Sequence, residues 1–156
     1  MDNFTIRTAN ENDCELILQF INELARYEKM ENDVSATPES LKEWLFQKRT
    51  AEAIFPLENG KEIGFALYFH NFSTFVGKGG LYLEDIFILP EYRGKGYGKA
   101  VFRYLIQKAK ELDCGRIEWC CLDWNKPSIE FYKSLGAKPL DEWTIYRLSQ
   151  DKLTEF

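Results

Sequence analysis

Leu83-Glu84-Asp85-Ile86-Phe87-Ile88-Leu89-Pro90-Glu91-Tyr92-Arg93-Gly94-Lys95-Gly96-Tyr97-Gly98 is the stretch around which the rest of the chain is arranged. Its first part is mostly apolar, rich in β-branched and aromatic residues and ended by a proline, which predicts a strand. Its second part is a glycine-spaced basic loop that runs into a helical pattern over residues 99–113. A strand, a glycine-rich turn and a helix N-terminus together make an anion site. Glycines let backbone amides approach the ligand, and the helix dipole favours negative charge. A phosphorylated ligand suits such a turn, with Arg93, Lys95 and Lys99 adding charge around it. The glycines at 94, 96 and 98 fit neither a GxGxxG dinucleotide turn nor a Walker loop, which needs GK[ST]. A tight β–α turn with a solvated basic rim has the same composition, so the choice rests on the remaining chain.

A chain of 156 residues, 45% hydrophobic and 29% charged, predicts one domain, residues 1–156, with a full core. No apolar run reaches membrane-spanning length, and no basic-then-apolar leader opens the sequence. The expectation is therefore a cytoplasmic protein with no membrane partner. The net charge of −5 argues against general nucleic-acid binding. The four cysteines, Cys14, Cys114, Cys120 and Cys121, have no metal or redox spacing and read as reduced packing thiols. With His70 the only histidine, no metal site is expected. Charge is unevenly spread. Residues 11–43 carry nine acids against three bases, and residues 93–110 carry six bases and no acid. These blocks are either two solvated faces or two sides of a cleft, one for a polyanion and one for a cation.

In chain order, residues 4–8 alternate as a strand, and Asn10 to Asp13 offer caps for a helix carrying Leu16, Ile17, Phe20, Ile21, Leu24 and Tyr27. Thr37-Pro38 starts a second helix with Leu41, Trp44 and Leu45 on its apolar face. Residues 51–57 and 62–69 are strands joined through Asn59-Gly60. Residues 71–80 read as a polar loop before the central strand. After the helix at 97–112 come a strand at 116–122, a short helix at 128–135 stopped by Gly136, and a last strand at 143–148. The order β-α-α-β-β-β-α-β-α-β predicts an α/β layered fold around a mixed sheet.

Two motifs now carry a resemblance. Arg93-Gly94-Lys95-Gly96-Tyr97-Gly98 is similar to the (Arg/Gln)-x-x-Gly-x-(Gly/Ala) pyrophosphate loop of the GNAT acetyltransferases, and residues 125–136 to their Asn-x-x-(Ala/Ser)-x-x-(Phe/Leu)-Tyr-x-x-x-Gly motif. Arg26-Tyr27-Glu28, Tyr82-Leu83-Glu84-Asp85, Pro90-Glu91-Tyr92-Arg93-Gly94 and Asp123-Trp124-Asn125 resemble the diamine acetyltransferase branch, over nearly the whole chain. The resemblance implies a mostly antiparallel sheet flanked by helices, with a splayed strand pair forming an acetyl-CoA cleft. It also implies a homodimer acting on a small amine. The donor would lie along the backbone of Phe87, Ile88 and Leu89, the 93–99 loop including Gly94, Gly96, Tyr97 and Gly98, and Asn125, Ser128 and Lys133.

The chemistry follows from the residue types. An ammonium has no lone pair, and a primary amine with a pKa of about 10 is almost wholly protonated at neutral pH. A carboxylate that holds the cation and takes its proton is therefore useful. Glu84 resembles the family's residue for that role. Asp85, which strand alternation sends to the opposite face, is either structural or a second substrate contact, beside Tyr27 and Glu28. Tyr132 matches the tyrosine that protonates the leaving thiolate, and otherwise reads as a core aromatic beside Phe131. The expected reaction is direct acetyl transfer from acetyl-CoA to a polyamine, diamine or thialysine-like amine. The segment before the central strand, Asn71-Phe72-Ser73-Thr74-Phe75, lacks the acid of polyamine-specific members and is closer to the thialysine-acetylating ones. Two alternatives stay open: a lysine or N-terminal protein acetyltransferase, and a silent acyl-CoA-binding module.

Overall fold

The computed structural model describes residues 3–156. The chain gathers into two compact units, one running to Cys120 and the other covering Cys121–Phe156. In the first, β1 (Phe4–Thr8), β2 (Glu52–Glu58), β3 (Lys61–Glu62), β4 (Gly64–Ser73), β5 (Lys78–Ile88) and β6 (Ile117–Trp119) form one sheet. Its order is β1-β2-β4-β5-β6, with β3 paired to β2 beside that path. Every pairing is antiparallel except β5 with β6. The mixed, mostly antiparallel α/β architecture is the one the sequence predicts.

Helix α1 (Cys14–Tyr27) follows a capping box in which Asn10 and Asp13 bond each other's backbone amide regions. Its buried face carries Cys14, Ile17, Phe20 and Ala25. Phe20 stacks on Phe65 at 5.8 Å and lies 6.1 Å from Phe55, in a core that also takes in Phe87. Burying a side chain of that size contributes about 1.5–3 kcal/mol. The exposed Arg26–Glu23 pair at 3.0 Å contributes about 0.3–0.5 kcal/mol. Packing on the sheet therefore fixes α1, and with it Tyr27 and Glu28 at its C-terminal end.

The second helix departs from expectation. After α2 (Pro38–Leu41), capped by Thr37 and Ser40, the chain widens into a π-helical turn, Lys42–Gln47. The wider winding breaks the 3.6-residue register, so Leu45 is buried while Trp44 faces solvent under the Lys48 ammonium at 3.9 Å.

Residues 71–80, expected as a loop, are mostly strand. β4 and β5 pair continuously from Gly64↔Ile88 to Ser73↔Lys78, and only residues 74–77 turn. Gly79 and Gly80 read as loop punctuation, yet Gly80 is there for space. A Cβ on it would lie 2.5 Å from the Asn71 side-chain oxygen and 3.2 Å from the Arg116 carbonyl. Midway, the register shifts: Leu67 faces Asp85 and Tyr68 faces Leu83, leaving Glu84 as the extra residue of a bulge. On the other side of β5, pairing with β6 covers Leu81 to Leu83 against Ile117 to Trp119 and goes no further. The strand expected at 116–122 is thus three residues long, and β5 is open beyond Leu83 on that side. Helix α3 (Tyr97–Glu111) buries Tyr97, Ala100, Val101, Phe102, Leu105 and Ala109.

In the second unit, α4 (Lys126–Ser134) is capped by Asn125, whose side chain accepts from the Ser128 amide at 3.4 Å, and Gly136 turns the chain away at φ +87°. The strand expected at 143–148 does not form. Trp143, Ile145, Tyr146 and Leu148 are all exposed, and a short helix, α5 (Gln150–Leu153), follows. Strand propensity yields no strand without a neighbouring ladder. No helix among the described residues is long and apolar enough to cross a membrane.

Candidate active site

The loop between β5 and α3 begins with a single 3-10 turn, Pro90–Tyr92. Gly94 and Gly96 then take φ of +77° and +89°, conformations that L side chains rarely adopt. Nothing lies within 4 Å of a Cβ built on Gly94, so conformation rather than crowding calls for glycine there. Gly96 is the N-cap of α3. A glycine cap leaves the first-turn amides without the side-chain acceptor that serine, aspartate or asparagine supplies. Lys95 and Lys99 are exposed around this turn. Backbone donors, a helix N-terminus and rim lysines give this turn the geometry of an anion cradle.

Arg93 is held differently from the lysines. Its Nε donates to the Ile88 carbonyl at 2.7 Å, and its guanidinium lies 4.8 Å from the Tyr27 ring centre and 5.0 Å from that of Phe87. The sequence places Tyr27 and Arg93 far apart and offers no signal for this contact.

The backbone of residues 87–89 does not present three equivalent donors. Leu89 N–H donates to the Ile63 carbonyl at 2.8 Å. In an antiparallel ladder bonded pairs alternate with unbonded ones. With Phe65 opposite Phe87 and Gly64 opposite Ile88, the Phe87 amide also faces β4, and the Ile88 amide turns to the other side. Gly64 allows this approach, since a Cβ there would sit 2.1 Å from the Phe87 carbonyl oxygen. The expectation that Phe87, Ile88 and Leu89 all offer amides along the cleft therefore narrows to Ile88.

Acidic groups meet at the bulge. Glu84 is exposed and Asp85 half-buried. Burial, then the negative charges of Glu84 and Glu28, push the Asp85 carboxyl up to about 7. Glu28, the half-buried C-cap residue of α1, is itself raised by burial. The fold thus brings Glu28, Glu84 and Asp85 into one electrostatic cluster. Strict alternation, which separated Glu84 from Asp85 in the sequence, fails where a bulge adds a residue. Beside them Tyr82 Oη lies 3.0 Å from Cys120 Sγ, and that hydrogen bond and burial raise the Tyr82 phenol.

The other expected residues lie in the second unit. Asn125 caps α4, Ser128 supplies the amide it accepts, and Lys133 and Tyr132 sit in the helix's later turns, the Tyr132 ring 5.7 Å from that of Phe131.

A glycine-rich turn following an acid-bearing bulged strand is the chemistry of this site, and known proteins that this chain resembles are acetyltransferases. Residues 17–137 match the model of the "Acetyltransferase (GNAT) family". A thialysine N-epsilon-acetyltransferase of Sus scrofa is 35% identical over 99% of this chain and 98% of its own length. An L-ornithine N5-acetyltransferase of Arabidopsis thaliana is 43% identical over 58% of this chain and 40% of its own. Among solved structures, an integron cassette protein from the V. cholerae mobile metagenome has a TM-score of 0.80 at 28% identity, covering 99% of this chain and 98% of that one. With that match running from α1 through the cradle to the end of α4, the chain belongs to the GNAT acetyltransferase family.

Proposed function

We propose that the protein transfers the acetyl group of acetyl-CoA directly to a primary amine of a small cationic acceptor, a lysine-, ornithine- or diamine-like molecule. The observation that carries this reading is the Glu28, Glu84 and Asp85 cluster, followed along the same strand and loop by an anion cradle that begins at Gly94. The relatives named above act, by their names, on thialysine and ornithine. One acetyltransferase domain would span both units, since the family match crosses Cys120 and Cys121.

The residues fit the donor. Left-handed Gly94 and Gly96, the glycine-capped turn of Tyr97 and Gly98, and Lys95 and Lys99 suit a pyrophosphate. Of the amides of Phe87, Ile88 and Leu89, that of Ile88 faces the edge away from β4 and suits the pantetheine arm. Asn125, Ser128 and Lys133 would lie along the rest. Bound acetyl-CoA supplies an activated thioester, and the chain's groups do the remainder. Glu84 and Glu28 hold the ammonium, with Tyr27 beside them. The Glu84–Asp85 pair takes its proton, and Asp85's carboxyl near 7 is matched to that task at neutral pH. Tyr132 gives a proton to the departing thiolate. Two copies would pair through the exposed apolar 143–148 segment.

Thiol release from acetyl-CoA tests the reading across lysine and ornithine analogues, polyamines, monoamines and peptides. Small dications and lysine analogues should turn over fastest; turnover confined to peptides would make the protein a protein acetyltransferase instead. Tyr132→Phe should lower turnover by about 10²–10⁴ with donor affinity little changed. Wild-type turnover in that variant, with chemistry limiting, would reduce the tyrosine to packing.

A further inference from the structure

We propose that Arg93 is a positioning residue that locks the acceptor-side end of α1 to the donor edge of β5, acting through Tyr27 and Ile88. The inference rests on the acetyl-transfer reading and refines it, because the cradle motif by itself makes Arg93 one more phosphate ligand. The geometry points elsewhere. Nε is committed to the Ile88 carbonyl at 2.7 Å, and the guanidinium carbon lies over two rings, 4.8 and 5.0 Å from their centres. Those rings belong to different parts of the site. Tyr27 is the last residue of α1 and precedes Glu28 of the acid cluster, whereas Phe87 and Ile88 form the end of β5. The Ile88–Leu89 peptide is held from both sides: its N–H donates to the Ile63 carbonyl at 2.8 Å, and its carbonyl, which faces away from β4, accepts from Arg93.

A lysine cannot replace this contact. It carries the charge but has neither the planar face nor a fixed Nε donor, whereas for a point-charge phosphate contact it substitutes well. The two roles therefore separate in Arg93→Lys. If Arg93 positions, Arg93→Lys should raise the acceptor KM about tenfold, the equivalent of ~1.4 kcal/mol. Acetyl-CoA affinity by calorimetry, and its salt dependence, should stay near wild type. Tyr27→Leu should raise the acceptor KM similarly, and the double variant should be no worse than the more affected single, because both remove one contact.

Restoration of wild-type KM by Arg93→Lys would overturn the proposal, above all if Arg93→Gln also lost donor affinity and flattened its salt dependence. A second readout does not need turnover. In a melting-temperature cycle, the losses from Tyr27→Leu and Arg93→Gln should be less than additive, and full additivity would refute the link. If wild-type protein acetylates no amine while the melting cycle still shows coupling, the acceptor assignment fails and the structural link stands.

Discussion

Asp85 shows how one carboxyl can be set by its surroundings. Its pKa rises from the ordinary 3.8 to about 7, chiefly through burial and then through Glu84 and Glu28. The protonated form is thus favoured in the folded state. Stability from this group is complete below about pH 4 and is lost as pH climbs towards 7. Asp85→Asn should therefore raise the melting temperature at pH 8 and leave it nearly unchanged at pH 4. Equal gains at both pH values would mean that the substitution changes packing, not charge. The same carboxyl, if it takes the proton, should give kcat/KM a limb that rises through pH 7 and flattens in Asp85→Asn. A bound cation favours the ionised form, so acceptor affinity should also tighten over that interval. The acids themselves were legible in the sequence as Glu84-Asp85 and Arg26-Tyr27-Glu28. Their convergence was not, because the bulge arises from a register shift against Leu67 and Tyr68, which no local pattern records.

Among the elements, those governed by local chemistry follow the sequence closely. Thr37 caps the helix it was read to cap, Asn10 caps the 3-10 turn that leads into α1, and Asn59-Gly60 makes the β2–β3 turn at φ +51° and +79°. Elements decided by non-local contacts do not. The 71–80 stretch is drawn into the β4–β5 ladder, and Trp44 leaves the apolar face through the π-helical turn. The glycine loop allows a controlled experiment on the same principle. Gly60 and Gly96 both hold left-handed backbone, at φ +79° and +89°, so valine at either should cost roughly 1–2 kcal/mol in strain. Only Gly96 caps α3. Gly96→Val should thus abolish measurable acetyl-CoA binding in calorimetry, whereas Gly60→Val should lose similar stability and bind normally. Normal binding by a folded Gly96→Val protein would remove the cradle from the donor site.

For the whole molecule, the unformed strand at 143–148 and its surface point to assembly. Trp143 and Ile145 are 73% and 71% exposed, Leu148 is 62% exposed, and Leu140 and Leu153 nearby are also open. Apolar residues concentrated in so short a stretch mark an interaction surface more often than a solvated one. The segment is also strand-prone, as its β-branched and aromatic residues show, and a ladder partner would let it pair. A second copy of the chain would supply both an apolar cover and a ladder without any further component. Light scattering at micromolar concentration should give twice the chain mass of 18.3 kDa. Trp143→Glu combined with Ile145→Glu should yield monomers that keep their melting transition, because neither side chain is buried in the single chain. A monomer mass for the wild-type protein would rule out the pair. A dimer unmoved by both substitutions would leave the pairing intact but place its interface elsewhere.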